Sequence, residues 1–219
     1  MDFKFLVPVL VSFAISVILC PIMIPFLKRL KFGQYVRDDG PESHLKKSGT
    51  PTMGGIIILL SIILTSLFYI GEYSDMIPVL FVTVGFGIIG FLDDYIKIVM
   101  KRSMGLRAWQ KLVGQILITS IFGYYLVNYT DIGTKMLIPF TGGLADGKYL
   151  DTSFLFVPLL FIVMLGTVNG ANFTDGLDGL ASSVTLLIAT FFSVVAIGTK
   201  SGISPITCAV AGSLLGFLV

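Results

Sequence analysis

Polar residues are scarce in this chain and fall in bunches. Between the bunches run long apolar stretches, at approximately 4–27, 54–71, 77–97, 109–128, 153–171, 179–198 and 203–219. A bilayer core takes about 20 predominantly apolar residues per helix, with a range of roughly 17–25. The pattern therefore predicts seven transmembrane helices in an all-α, polytopic bundle, a single transmembrane domain over residues 1–219. Barrel strands are excluded, because they alternate in hydrophobicity over about 10 residues and these runs are continuous. Pro8, Pro21 and Pro25 lie in the first run, where membrane helices tolerate proline. The last run is short and stops at Val219 with no flanking charge, so a C-terminally truncated chain is expected.

Composition points the same way. Hydrophobic residues make up 55% of the chain and charged residues 13%, and the mean hydropathy is +0.93. Soluble domains carry about 25% charged residues. A soluble globule could not cover that much apolar surface, and a disordered chain would be far more polar. The first run is long enough to span and ends in Lys28 and Arg29, unlike a cleavable signal peptide. Cys20 and Cys208 both sit inside apolar runs, as free thiols do. The net charge of +2 gives no reason to expect a nucleic-acid partner.

Where the charges sit is more telling. Eleven of the fifteen Lys and Arg residues flank the loops after the first and third runs. The positive-inside rule makes that side cytoplasmic and puts the N-terminus outside. Cytoplasmic loops are then expected at about 28–53, 98–108 and 170–178. The stretch at about 129–152 is extracytoplasmic, and Gly142, Gly143 and Gly147 mark turns there that suit a small hairpin.

Three polar clusters fall on the cytoplasmic side. Ser43 to Gly55, SHLKKSGTPTMGG, combines two lysines, two threonines and three glycines. Lysine and threonine can bind phosphate or a carbonyl-rich base, and glycines let the backbone approach a ligand. A basic, glycine-rich connector obeying the positive-inside rule would look the same. Gly90 to Lys97, GFLDDYIK, places Asp93 and Asp94 at the inner end of the third run. A carboxylate at a helix C-terminus opposes the dipole and calls for a cation or a function. On a helix Asp93 reaches Lys97 at i+4 and Asp94 reaches it at i+3. Such a pair can hold Mg²⁺ or act as a base on a phosphate. Solvated residues at a helix end are the plain alternative. Asn169 to Ala181, NGANFTDGLDGLA, carries two asparagines, Thr174, Asp175 and Asp178. Asp175 and Asp178 share a face if a helix begins here, with Thr174 or Asp175 as N-cap and an anion-binding terminus beyond. His44, the single histidine, sits among lysines as a solvated residue would, and Trp109 fits an interfacial belt. Oxygens and lysines gathered at one membrane face suit a reaction between a soluble phosphate-bearing substrate and a lipid-borne one.

KKSGTPTMGG, FLDDYIK and NFTDGLDGLA, together and in this order, resemble the phospho-N-acetylmuramoyl-pentapeptide transferases. These belong to the polyprenyl-phosphate N-acetylhexosamine-1-phosphate transferase superfamily. The resemblance covers essentially the whole chain. The paired aspartates and DGLDG are shared across the superfamily, and GTPTMGG points to the muramoyl branch. The resemblance implies a Mg²⁺-dependent phosphotransferase of the bacterial plasma membrane. Its donor is UDP-N-acetylmuramoyl-pentapeptide, its acceptor undecaprenyl phosphate, and its products lipid I and UMP, in peptidoglycan synthesis. It implies Asp93 and Asp94 as the catalytic pair and as metal ligands, with Asp93 the base on the lipid phosphate. Lys97 and Lys111 match lysines near the phosphates. Lys47, Gly176, Leu177 and Asp178 match the uracil pocket, and Thr52, Asn172 and Asp175 the ribose and diphosphate region. It also implies a homodimer. An N-acetylglucosamine-1-phosphate transferase on the same lipid is the alternative within the superfamily. An ion-coupled transporter and an inactive membrane scaffold are the alternatives outside it. The family has about ten spans and a further Mg²⁺ ligand that would lie beyond Val219. The 219-residue chain alone is accordingly expected to insert but to be inactive. Its sixth and seventh spans should then show lipid the small-residue faces that later helices cover.

Overall fold

The computed structural model describes residues 5–29, 53–100, 104–130, 133–138, 141–142, 146–175 and 178–219. The described residues form seven α-helices and one β-hairpin: α1 (Leu6–Arg29), α2 (Gly55–Leu67), α3 (Met76–Val99), α4 (Ala108–Tyr129), β1 (Lys135–Leu137), β2 (Tyr149–Asp151), α5 (Phe156–Thr174), α6 (Leu180–Gly198) and α7 (Ser204–Leu218). Each helix falls on one of the seven apolar runs. α1, α3, α4, α5 and α6 are long and apolar enough to cross a membrane. Their side chains are mostly exposed, as expected where lipid is the solvent. This is an all-α, multi-pass membrane protein.

α2 and α7 are shorter, with 13 and 15 residues. At 1.5 Å per residue they rise about 20 and 22 Å, short of a hydrocarbon core about 30 Å thick. Beyond α2 the chain keeps winding through tight turns, with Phe68 N–H on Thr65 O and Tyr73 N–H on Tyr69 O. The run at 54–71 is thus a regular helix for only part of its length.

α7 is the centre of the bundle, packed against α1, α2 and α6. The reason is in its side chains. Cys208, Ala209, Ala211, Gly212, Ser213 and Gly216 are all buried. In a bilayer there is no hydrophobic drive between helices, so close backbone approach at small residues takes its place. A Cβ on Gly212 would overlap Ser12 Oγ and Val9 O of α1, and one on Gly216 would meet Phe13 O at 2.6 Å. Ser12 and Ser16, four residues apart, are the matching buried face of α1. The expectation that the seventh span shows lipid a small-residue face is thereby corrected. That face is the seam with α1.

The hairpin lies where glycines marked turns. β1 and β2 pair antiparallel, with Lys135 opposite Asp151 and Leu137 opposite Tyr149. Asp151 Oδ1 accepts from the Thr134 hydroxyl at 2.6 Å and from Ser153 N–H at 2.9 Å. The Thr134 hydroxyl first, and then the Ser153 amide, hold the Asp151 carboxyl below the usual range. A depressed carboxylate stabilises above its unfolded pKa and loses that contribution as pH falls through the folded value. Amide exchange at Ser153 and Thr152 should therefore be slow at neutral pH and accelerate, relative to the intrinsic rate, as pH drops below the ordinary 3.8. A protection factor that stays flat down to pH 2 would show that Asp151 does not anchor the hairpin.

Candidate active site

α3 is apolar to Leu92 and then delivers two carboxylates, about 100° apart around the helix. They meet different surroundings. Asp93 is 5% exposed and points toward the loop before α4. Asp94 is 38% exposed at its side chain. Lys97, one turn on, bridges both as its spacing predicts. Its Nζ lies 2.7 Å from Asp93 Oδ2 and 2.9 Å from Asp94 Oδ1.

The loop and α4 complete the cluster. Leu106 N–H donates to Asp93 Oδ1 at 2.8 Å. Gly105 lies so close that a Cβ there would stand 2.4 Å from both the Asp93 carbonyl oxygen and Oδ1. Only glycine lets the loop close over the carboxylate. Gln110 Oε1 then accepts from Arg107 N–H at 2.8 Å, satisfying a free amide at the start of α4. One turn into that helix, Lys111 Nζ lies 2.9 Å from Asp93 Oδ2. The buried carboxylate thus has two ammonium groups on one oxygen and an amide on the other. Two negative and two positive charges gather at the adjoining ends of α3 and α4. This near-neutral arrangement holds both lysines against the carboxylates. Charge-assisted bonds of this kind are shorter and stronger than neutral ones.

The third polar cluster is placed differently from the sequence-based expectation. Asn169 and Asn172 lie in the last two turns of α5, which runs to Thr174, so the loop starts five residues later than 170. Neither Thr174 nor Asp175 caps α6. The Thr174 hydroxyl turns back to Gly170 O at 2.9 Å, and Asp175 is the C-cap of α5. Asp175 and Asp178 therefore share no helical face. The N-cap of α6 is Gly179, at φ 76°, a left-handed conformation that suits glycine and carries no capping side chain. Asn172, Asp175 and Asp178 are exposed at this end of the bundle. Lys47, Thr52, Gly176 and Leu177 lie outside the described residues.

A pair of amides links α4 to α5, and no spacing in the sequence singles it out. Asn169 Nδ2 donates to Gln115 Oε1 at 2.9 Å, and Gln115 Nε2 donates to Asn169 Oδ1 at 3.4 Å. Gln115 is one turn beyond Lys111 and is 3% exposed. The signal was available in principle. An amide inside an apolar run needs a partner, because nothing in the hydrocarbon will bond it.

Among the described residues no group of three or more His, Cys, Asp or Glu side chains is arranged for a metal ion. Mg²⁺ is often held by only one or two carboxylates together with substrate phosphates. Asp94, the more accessible of the pair, is the carboxylate open to such an ion, whereas both oxygens of Asp93 are taken by Lys97, Lys111 and the Leu106 amide.

Comparison with known proteins places this cluster in a lineage. The family model for glycosyl transferase family 4 matches residues 76–219, from the start of α3 onward. The chain belongs to glycosyl transferase family 4. Within the family, the first signature of the phospho-N-acetylmuramoyl-pentapeptide-transferases matches residues 47–59, KSGTPTMGGIIIL. Relatives of that name are similar over nearly the whole chain. The phospho-N-acetylmuramoyl-pentapeptide-transferase of Caldicellulosiruptor bescii is 46% identical over 219 residues, which is all of this chain and 66% of the relative. That of Acetivibrio thermocellus is 48% identical over 212 residues, covering 95% of this chain and 62% of the relative. The Bacillus subtilis enzyme of the same name is 46% identical over 216 residues, covering 96% and 65%. The chain thus spans just under two-thirds of the length of these relatives.

Proposed function

We propose that the protein transfers phospho-N-acetylmuramoyl-pentapeptide from its UDP carrier to undecaprenyl phosphate, forming lipid I and releasing UMP. The observation that carries this reading is the Asp93–Asp94–Lys97–Lys111 cluster. It sits at the adjoining ends of two membrane-spanning helices, where a lipid phosphate and a soluble diphosphate can meet. The names and similarity of the relatives support it, as does the match to the muramoyl-type signature.

In this reading an oxygen of the lipid phosphate bonds to the sugar-bearing phosphorus, the diphosphate P–O bond breaks, and UMP departs. Such transfers depend mainly on positioning and charge neutralisation. Lys97 and Lys111 supply fixed positive charge, and Asp93 holds both in place. To serve as base on the lipid phosphate, Asp93 would have to release a lysine from Oδ2. Asp94 would hold Mg²⁺, which when bound screens the diphosphate. Lys47, Gly176, Leu177 and Asp178 would take the uracil, and Thr52, Asn172 and Asp175 the ribose and diphosphate. The cluster would face the cytoplasm of a bacterial cell, in the plasma membrane, with the N-terminus outside.

The test is exchange of labelled UMP into UDP-sugars by the full-length gene product in lipid with undecaprenyl phosphate. Exchange with the muramoyl-pentapeptide donor is expected. Exchange with UDP-N-acetylglucosamine alone would assign the sister reaction. If Asp178 accepts from a uracil N–H, Asp178→Ala leaves that donor unpaired and weakens UDP-sugar binding by about 1–3 kcal/mol. Unchanged affinity for uridine ligands removes Asp178 from the pocket.

A further inference from the structure

We propose that Gln115 is a positioning residue, which through Asn169 sets Asn172 and Asp175, on the nucleotide side of the site, in register with the Asp93–Lys111 ion cluster. The inference rests on the function proposed above for those two groups, and its geometry stands apart from it.

α4 carries two polar side chains on one face near its start. Lys111 reaches back to α3 and fixes Asp93, 2.9 Å away. Gln115, four residues on, reaches forward to α5 and takes both hydrogen bonds that a pair of amides can exchange. Residues at i and i+4 lie above one another on a helix, so a single edge of α4 ties α3 to α5. The Asn169 amide has little freedom to turn, because Nδ2 also donates to Leu165 O at 2.8 Å. Beside it α5 is largely exposed, with only Phe156 buried along its length. Besides this amide pair, α5 meets α4 where Leu160 packs on Gly123. Asn172 is three residues beyond Asn169 and Asp175 six, so a turn of α5 about that axis would swing both. An error of about 1 Å in a reacting geometry costs about 100-fold in rate, which is the scale on which such a tie matters.

The shape-matched apolar variant Gln115→Met breaks the pair and keeps the bulk. In the full-length protein in lipid it should raise the KM for the UDP-sugar about 10-fold or more, leaving the KM for undecaprenyl phosphate near the parent's. The exchanged pair Gln115→Asn with Asn169→Gln keeps two amides and should recover most of the loss. A merely structural role would instead affect both substrates together. Equal KM values in parent and Gln115→Met overturn the proposal. A second measurement does not depend on the reaction. Spin labels at Leu117 and Phe173, 60% and 86% exposed, report the α4–α5 distance once other reactive cysteines are replaced. A narrow distribution is expected in the parent and the exchanged pair and a broad or displaced one in Gln115→Met. The same distribution in all three overturns the proposal, whether or not the protein proves to be a transferase.

Discussion

Asp93→Asn in the full-length protein should lower turnover about 100-fold or more while leaving insertion in the membrane intact. The substitution keeps the shape of the side chain and removes its charge. An amide nitrogen then faces Lys97 and Lys111, or an amide oxygen must serve two ammonium groups that a carboxylate now holds at 2.7 and 2.9 Å. Removing one partner of a buried, hydrogen-bonded ion group is strongly destabilising to the others, because their charge is left uncompensated. Both lysines are partly exposed, which tempers that cost, so the damage should appear in catalysis ahead of folding. Asp94→Asn touches one ion pair at a more open site and leaves the Lys111 contact in place. Gly105→Ala is the companion, since its methyl group would press on Asp93 without altering any charge. It should approach the Asp93→Asn defect. Single-turnover and steady-state rates in lipid vesicles provide the check. An Asp93→Asn protein with full turnover would remove this residue from the chemistry.

Gly212→Val should open the seam between α1 and α7. The new side chain would have to occupy the space of Ser12 Oγ and Val9 O. Overpacking of this kind costs about 1–3 kcal/mol, and more where a backbone carbonyl is the obstacle. The midpoint of thermal unfolding in detergent should drop accordingly. Gly166→Ala is the control. It lies inside α5 with nothing within 4 Å of its added Cβ, and it should be neutral or slightly stabilising. Equal midpoints for both variants would mean that α1 and α7 do not depend on close approach.

These two sites differ in how far the sequence disclosed them. The apolar runs located the seven helices of the described residues, but only five have the length that bilayer thickness imposes; α2 and α7 fall short of it. Asp93, Asp94 and Lys97 were legible because their spacings of three and four fix a helical contact. Lys111 was legible only through family resemblance, because a partner on another helix has no spacing rule. Gly105 and Leu106, which close over Asp93, gave no sequence signal, because a glycine needed for close approach looks like any loop glycine. Gln115 and Asn169 are 54 residues apart. Each is a lone amide in an apolar run, and neither names its partner. The α5–α6 connection was misread because Thr174, Asp175 and two glycines suit a helix start as well as a helix end. The hydroxyl bond from Thr174 to Gly170 decides for the end. The central place of α7 was hidden for a related reason: small residues report that something comes near, without saying what.

The α1–α7 seam also imposes an order in time. Some 175 residues separate the end of α1 from the start of α7. At about 5–20 residues per second, a ribosome needs roughly 10–35 s to make that stretch. Throughout that interval α1 sits in the bilayer with Ser12 and Ser16 facing no glycine. α1 thus waits for a helix made much later, and this seam can close only when Gly212 and Gly216 arrive. A nascent chain stalled before Ser204 would present the serine face of α1 to lipid or to an insertion chaperone, and crosslinking at Ser12 during synthesis would capture whichever occupies it.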